Sequence, residues 1–157
     1  MGGMASRTMM SLAVTACIAV GLAAGLGGYT FHQGEGLSYF SDDPLTCANC
    51  HVMWDQYDSW SHSSHSAWAT CNDCHMPAGK IDGLYTKAIN GWNHAVKFTT
   101  GNFPEPIVIN ERNRRIALEN CIRCHGQMTS EMRIEHADID TYRCIECHGN
   151  VGHQGAK

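Results

Sequence analysis

The sequence predicts a mainly α-helical protein with long loops: one N-terminal transmembrane helix, then a small head whose interior is filled by bound groups more than by side chains. Three observations predict it. The run Met9 to Phe31 carries no charged residue. Nine cysteines and ten histidines in 157 residues are several times the usual share, while aromatics reach only 8%. Eight of the cysteines recur in one short motif at repeated spacings. Beyond the apolar run about 125 residues remain, a size that buries only a modest side-chain core. The net charge of −4, a pI near 6.2 and the lack of any basic cluster exclude nucleic-acid binding.

The first element is the apolar helix. Between Arg7 and Glu35 there is no Asp, Glu, Lys or Arg, and at 1.5 Å per residue the run from Met9 to Phe31 crosses the roughly 30 Å of a bilayer core. Arg7 and the amino terminus precede the span, no Lys or Arg follows it until Lys80, and Glu35, Asp42 and Asp43 come first. Positive charge stays on the cytoplasmic side, so the head lies outside the cytoplasm. The expected division is an anchor over residues 1–34 and a periplasmic domain over 35–157 of an inner-membrane, single-pass protein. A cleaved signal peptide is the competing reading, but the apolar run exceeds an ordinary signal core. Val14-Thr15-Ala16-Cys17 loosely resembles a lipoprotein box, and Cys17 reads more simply as a small residue of the span. Gly21 and Gly25 form a small-xxx-small pair that suits a second helix, including one from another copy of the chain.

The head is organised by four motifs: Cys47-Ala-Asn-Cys50-His51, Cys71-Asn-Asp-Cys74-His75, Cys121-Ile-Arg-Cys124-His125 and Cys144-Ile-Glu-Cys147-His148. Zinc sites, disulfides and thioredoxin-type pairs also use C-x-x-C, but none requires a histidine in the fifth position. Four such histidines would fall there by chance about once in 60,000 chains, so the motif reads as covalent haem c attachment: two thioethers fix the porphyrin and the next residue reaches the iron. First cysteines stand 24 and 23 residues apart within successive pairs, and the pairs repeat after 74 and 73. The head therefore reads as two duplicated dihaem modules built around four haems. Haem-free chain is not expected to fold.

Four irons need eight axial ligands, and the motif histidines His51, His75, His125 and His148 supply at most four. His32, His62, His65, His94, His136 and His153 remain. His65, just before the second motif, and His153, five residues after His148, are the first candidates for other haems of the set. His136 is next, against the plain alternative of an exposed helix residue. Met53 stands two residues after His51 of the first motif, where a thioether ligand raises a haem's potential relative to bis-histidine. The plain alternative is packing on the porphyrin edge.

Residues 81–96 place Ile81, Leu84, Tyr85, Ala88, Ile89, Trp92, Ala95 and Val96 at helical spacing, with Lys87, Asn90 and His94 as a polar stripe on the opposite side. An amphipathic helix with Trp92 among its apolar residues suits a membrane interface. A quinol releases two electrons and two protons while a haem takes one electron, so a quinol site needs proton acceptors near a haem. Lys87, His94 and nearby Asp82 have that chemistry. A solvated polar face on a packed helix is the competing reading.

The apolar anchor, the four motifs, Cys47-x-x-Cys50-His51-Val52-Met53, His62-Ser-Ser-His65 before Cys71-Asn-Asp-Cys74-His75-Met-Pro, and Lys87-Ala-Ile-Asn-Gly-Trp-Asn-His94 together resemble the NapC/NirT family of membrane tetrahaem quinol dehydrogenases. The similarity is strongest to members that serve a periplasmic pentahaem nitrite reductase. The resemblance implies menaquinol oxidation at the first haem and transfer along the others to a docked reductase. It implies Met53 on the first iron in place of His51, His65 and His153 on haems 4 and 3, and Lys87 at the quinol. The second haem's sixth ligand is then His136 or a partner's lysine. Seven positions after that lysine the family commonly has an aspartate, where this chain has His94; an imidazole there is another possible ligand of the first iron.

Two other functions fit the same residues. One is an anchored electron carrier that never meets quinol, and the other is a quinol dehydrogenase serving a nitrate, trimethylamine-oxide or hydroxylamine reductase. Nitrite reduction by this chain itself is not expected, because no dedicated substrate pocket is readable from it.

Overall fold

In the computed structural model the described residues are 2–131 and 144–153. The chain divides into two compact units, Met1–Ser38 and Tyr39–Lys157. Among the described residues every regular element is helical.

The first unit is dominated by helix α1, Gly2–Gln33. Its stretch Ser6–Gln33 is long and apolar enough to cross a bilayer, and none of it is buried inside the protein. Met9, Leu12, Ile18, Val20, Leu22 and Leu26 are all exposed. A helix apolar all round is stable where its surroundings are apolar too, which is the membrane case. Among the described residues nothing approaches within 4 Å of a Cβ built on Gly21 or Gly25.

The second unit is built from short helices whose starts are set by local side chains. Helix α2, Pro44–Cys47, has Pro44 in its first turn and Asp43 as cap, whose carboxylate accepts from the Leu45 N–H at 2.9 Å. A 3₁₀ turn, His51–Met53, leads into α3, Trp54–Ser61. The indole N–H of Trp60 donates to the Ala69 carbonyl at 3.0 Å and folds the following loop back. Helix α4, Cys71–His75, opens on a capping box in which Thr70 and Asp73 satisfy each other's backbone N–H groups. Helix α5, Lys80–Thr100, ends at Gly101, which takes the left-handed conformation with φ 67° that favours glycine. Asn110 caps α6, Glu111–His125, and α7 spans Cys144–Cys147.

The side-chain core of this unit is very small. Among the described residues the buried apolar side chains are Ala48, Ile116 and Leu118, joined by the buried polar Thr86 and Asn120. Ile116, Leu118 and Asn120 lie on α6, Thr86 on α5 and Ala48 just after α2. Asn120 donates to the Cys74 and Met76 carbonyls at 2.9 and 2.7 Å, and Arg123 donates to the Asp73 carbonyl at 2.9 Å. Thr86 on α5 accepts from Arg112 on α6 at 2.8 Å. Large apolar side chains are meanwhile left uncovered, with Trp68 88% and Trp92 71% exposed. The mainly helical, loop-rich fold expected from the sequence is the fold observed. The supposed halves differ locally: the first motif starts at the last residue of a one-turn helix, whereas the third ends a helix of 15 residues.

Candidate functional site

The four C-x-x-C-H motifs lie on four different elements and are brought together in chain order. Cys47 closes α2, Cys50 and His51 start the 3₁₀ turn, the second motif is α4 itself, the third ends α6, and α7 carries the fourth. The Cys47 and Cys71 thiols hydrogen-bond to each other, which pulls Cys47 down to about 7 and pushes Cys71 up. Cys74 feels the charge of Cys124, and Cys121 feels those of Cys144 and Cys74. Asn72 of the second motif donates to the Ser41 carbonyl and the Asp42 carboxylate ahead of the first, at 3.1 and 2.7 Å. The second motif thus meets the first and, through Asn120 and Arg123 of α6, the third, while the fourth is linked to the third by the charge that Cys144 exerts on Cys121.

Two histidine pairs cross between these motifs. The His75 ring stacks on His153 with centroids 6.0 Å apart and planes 14° from parallel. The His65 ring lies 5.9 Å from that of His125, at 63°. Two imidazoles bound on opposite sides of one metal at bonds of about 2 Å have ring centres about 6 Å apart. His153 Nδ1 is buried without a hydrogen-bond partner, and burial with His153 alongside pushes the His75 pKa down, so the imidazole stays neutral as a ligand must. The partners differ from those the resemblance implied: His153 faces the second motif, not the third, and His65 faces the third, not the fourth.

Other predicted ligands are placed individually. His51 is exposed and Met53 partly buried in the turn after Cys50. His148 is exposed beyond α7. His136 lies outside the described residues. His62 caps the end of α3, its Nδ1 2.8 Å from the Asp58 carbonyl and 3.8 Å from the Asp58 carboxylate.

The polar stripe of α5 splits. Lys87, whose side chain is 20% exposed, has its ammonium 3.9 Å from the Asp42 carboxylate, and its charge is felt by Cys47 of the first motif. His94 lies about 20° from Lys87 around the helix and about 10 Å further along it. Its Nδ1 is 3.2 Å from the Tyr39 hydroxyl. Desolvation, then the Lys97 charge, holds His94 below the usual histidine range. Burial, then Cys50 and Cys47, pushes Tyr39 up, which sets its ring beside the first motif as well. Asn90 instead accepts from Asn113 at 3.1 Å and ties α5 to α6. Asp82 sits in the first turn of α5, where a carboxylate complements the helix N-terminus. It lines a cleft of about 580 Å³ with Tyr85, Arg112 and Arg115.

Sequence reasoning missed Tyr39 and Asn120. Nothing in the local pattern marks Tyr39, whose partner is 55 residues away. Asn120 carries a weak signal, being an amide directly before a motif cysteine on a helix otherwise ready to bury it.

An apolar N-terminal helix followed by C-x-x-C-H motifs whose histidines pair across a nearly coreless fold defines a membrane-anchored c-type cytochrome for electron transport. The sequence comparison narrows the class: the NapC/NirT cytochrome c family, N-terminal region, matches residues 7–157, and the chain belongs to that family. It is 39% identical over 153 residues to the cytochrome c-type protein NrfH of Wolinella succinogenes, covering 90% of this chain and 86% of that one. It is 25% identical to the tetraheme c-type cytochrome CymA of Shewanella oneidensis, covering 89% and 90%. Among solved structures it is similar to a chain of the cytochrome c nitrite reductase NrfHA complex bound to the HQNO inhibitor. There the TM-score is 0.59 and the identity 27%, with 85% and 88% of the two chains covered. The residues present fit haem c: attachment cysteines, imidazoles paired at ring separations near 6 Å and a fold with little interior of its own.

Proposed function

We propose that this chain is a membrane-anchored tetrahaem cytochrome that oxidises menaquinol and passes the electrons to a docked pentahaem nitrite reductase, NrfA-like, which reduces nitrite to ammonium. Residues 1–34 form the anchor, with the amino terminus cytoplasmic, and residues 35–157 the periplasmic domain. The observation that carries this reading is the position of Lys87 and His94. They share one face of α5, Lys87 with its charge acting on Cys47 of the first motif and His94 hydrogen-bonded to Tyr39. Likeness to NrfH and to the NrfHA complex supports the choice of reductase.

Haem c, when bound, supplies one-electron storage at each attachment site. The chain's own residues do the rest. Cys47, Cys50, Cys71, Cys74, Cys121, Cys124, Cys144 and Cys147 hold the four groups. Met53 serves the first iron, its partial burial favouring it over exposed His51. His75 with His153 serves the second, His125 with His65 the third, and His148 the fourth; the ring separations near 6 Å support the two pairs. Lys87 donates from its ammonium to a quinol oxygen and favours its ionised form. Neutral His94 takes the hydroxyl proton.

The test is Lys87→Met in the full membrane-bound chain. Naphthoquinol-dependent haem reduction is expected to fall at least 10-fold while dithionite still reduces all four haems. Unchanged quinol oxidation would remove Lys87 from the site and favour a carrier that never meets quinol. Co-purification in mild detergent with a pentahaem nitrite reductase tests the partner.

A further inference from the structure

We infer that Tyr39 is a positioning residue of the quinol site, whose hydroxyl holds the His94 ring by Nδ1 so that Nε2 is presented as the proton acceptor. The inference rests on the proposed quinol reading and adds a residue that neither the motifs nor the helical pattern marks.

The geometry has three parts. The Tyr39 oxygen stands 3.2 Å from His94 Nδ1, across 55 residues of chain. The Tyr39 ring lies against α5 at Gly91, where an added Cβ would come 3.3 Å from Cε1 and 3.6 Å from Cζ. Glycine in the interior of a 21-residue helix weakens it, and here it leaves the space the ring uses. The ring also lies near Cys47 and Cys50, so the hydrogen bond is made beside the first motif. Lys87, on the same face of the helix, is held there by Asp42.

An imidazole accepts a proton at only one nitrogen, and the hydrogen bond at the other decides which. With Nδ1–H donating to the Tyr39 oxygen, the Nε2 lone pair is free. The same bond persists once His94 is an imidazolium, because both ring nitrogens then donate. Each quinol becomes a quinone by losing two protons and two electrons. The electrons leave singly to a ferric c-type haem, and the protons pass one at a time through His94 Nε2 to water. Tyr39 keeps its own proton throughout, its oxygen serving only as the acceptor of the Nδ1–H bond.

The test uses the full chain with its haems, in detergent or vesicles, with a soluble naphthoquinol as donor. Tyr39→Phe keeps the ring and removes the hydroxyl. It is expected to lower kcat about 10-fold, less than the roughly 100- to 10,000-fold of losing a general base outright, because the base itself remains. KM and the affinity for HQNO, read by fluorescence quenching, should change less than threefold, and the dithionite-reduced haem spectrum should not change. Gly91→Ala improves the helix former but crowds the ring, so it should lower kcat while leaving thermal stability equal or higher. The deciding measurement is the pair of variants in a His94→Asp background. A carboxylate offers equivalent oxygens and has no tautomer to fix, so Tyr39→Phe should cost less than twofold there. A wild type that oxidises naphthoquinol while Tyr39→Phe is unchanged would overturn the inference alone. An equal loss in both backgrounds would do so too, since it marks a structural role. A wild type that neither oxidises naphthoquinol nor binds HQNO would overturn the quinol reading and this inference with it.

Discussion

His153 is five residues beyond the last motif in sequence, yet its ring stacks on His75 of the second motif with centroids 6.0 Å apart. If the two imidazoles share an iron, His153→Ala converts the second haem from low-spin to high-spin and leaves the third low-spin. His65→Ala does the reverse, because His65 faces His125. Low-temperature electron paramagnetic resonance of the purified holo-protein counts the species. Spin-state changes at the other haem of either pair would reassign the ligands. That these two histidines would be ligand candidates was readable from their position beside motifs. Which motif histidine each would meet was not, because the pairing depends on how α4 docks on α6, and motif spacing carries no record of that. Tyr39 was illegible for the same reason: a contact across 55 residues leaves no local pattern.

Helix α4 carries the second motif in a single turn and depends on its first residue. Thr70 Oγ1 and the Thr70 N–H both donate to the Asp73 carboxylate at 2.8 Å, and the Asp73 N–H returns to Thr70 Oγ1 at 3.4 Å. Thr70→Ala removes the hydroxyl, and loss of such a cap costs about 1 kcal/mol. The Asp73 carboxyl is held below its ordinary value, first by the Thr70 backbone N–H and then by the Thr70 hydroxyl. A depressed carboxyl stabilises the fold above its unfolded value near 4 and loses that contribution as pH falls through the folded value. Denaturant unfolding of holo-protein from pH 7 to pH 3 should therefore show the Thr70→Ala deficit shrinking towards the acid end. A deficit constant with pH would mean that the Thr70 hydroxyl does not hold the Asp73 charge. Elements were more legible than contacts. The 3.6-residue pattern over 81–96 predicts α5, which runs on to Thr100 because Gly101 is the first residue suited to a left-handed end. The split of its polar stripe was hidden, since Asn90 turns to Asn113 only once α6 is in place.

At the scale of the whole chain, the small side-chain core and the ordered chain of motifs are one fact. Ala48, Ile116 and Leu118 are the buried apolar side chains among the described residues, while residues as large as Trp54, Trp68 and Trp92 stay exposed. Burial of apolar surface is the main term opposing chain entropy, and three such side chains fall far short of what a head of this length requires. Groups that bind only the folded chain make up the difference by linkage, as structural metals do. Composition announced this from the start, because the sequence is rich in ligands and poor in aromatics. The expected outcome is that chain made without haem attachment, or with all eight motif cysteines changed to serine, has an unfolded head. Circular dichroism in detergent should then retain the helicity of Gly2–Gln33 alone, and limited proteolysis should cleave throughout Tyr39–Lys157. A protease-resistant haem-free head would show that side chains suffice, and would detach the fold from the cofactors that its motifs were read to hold.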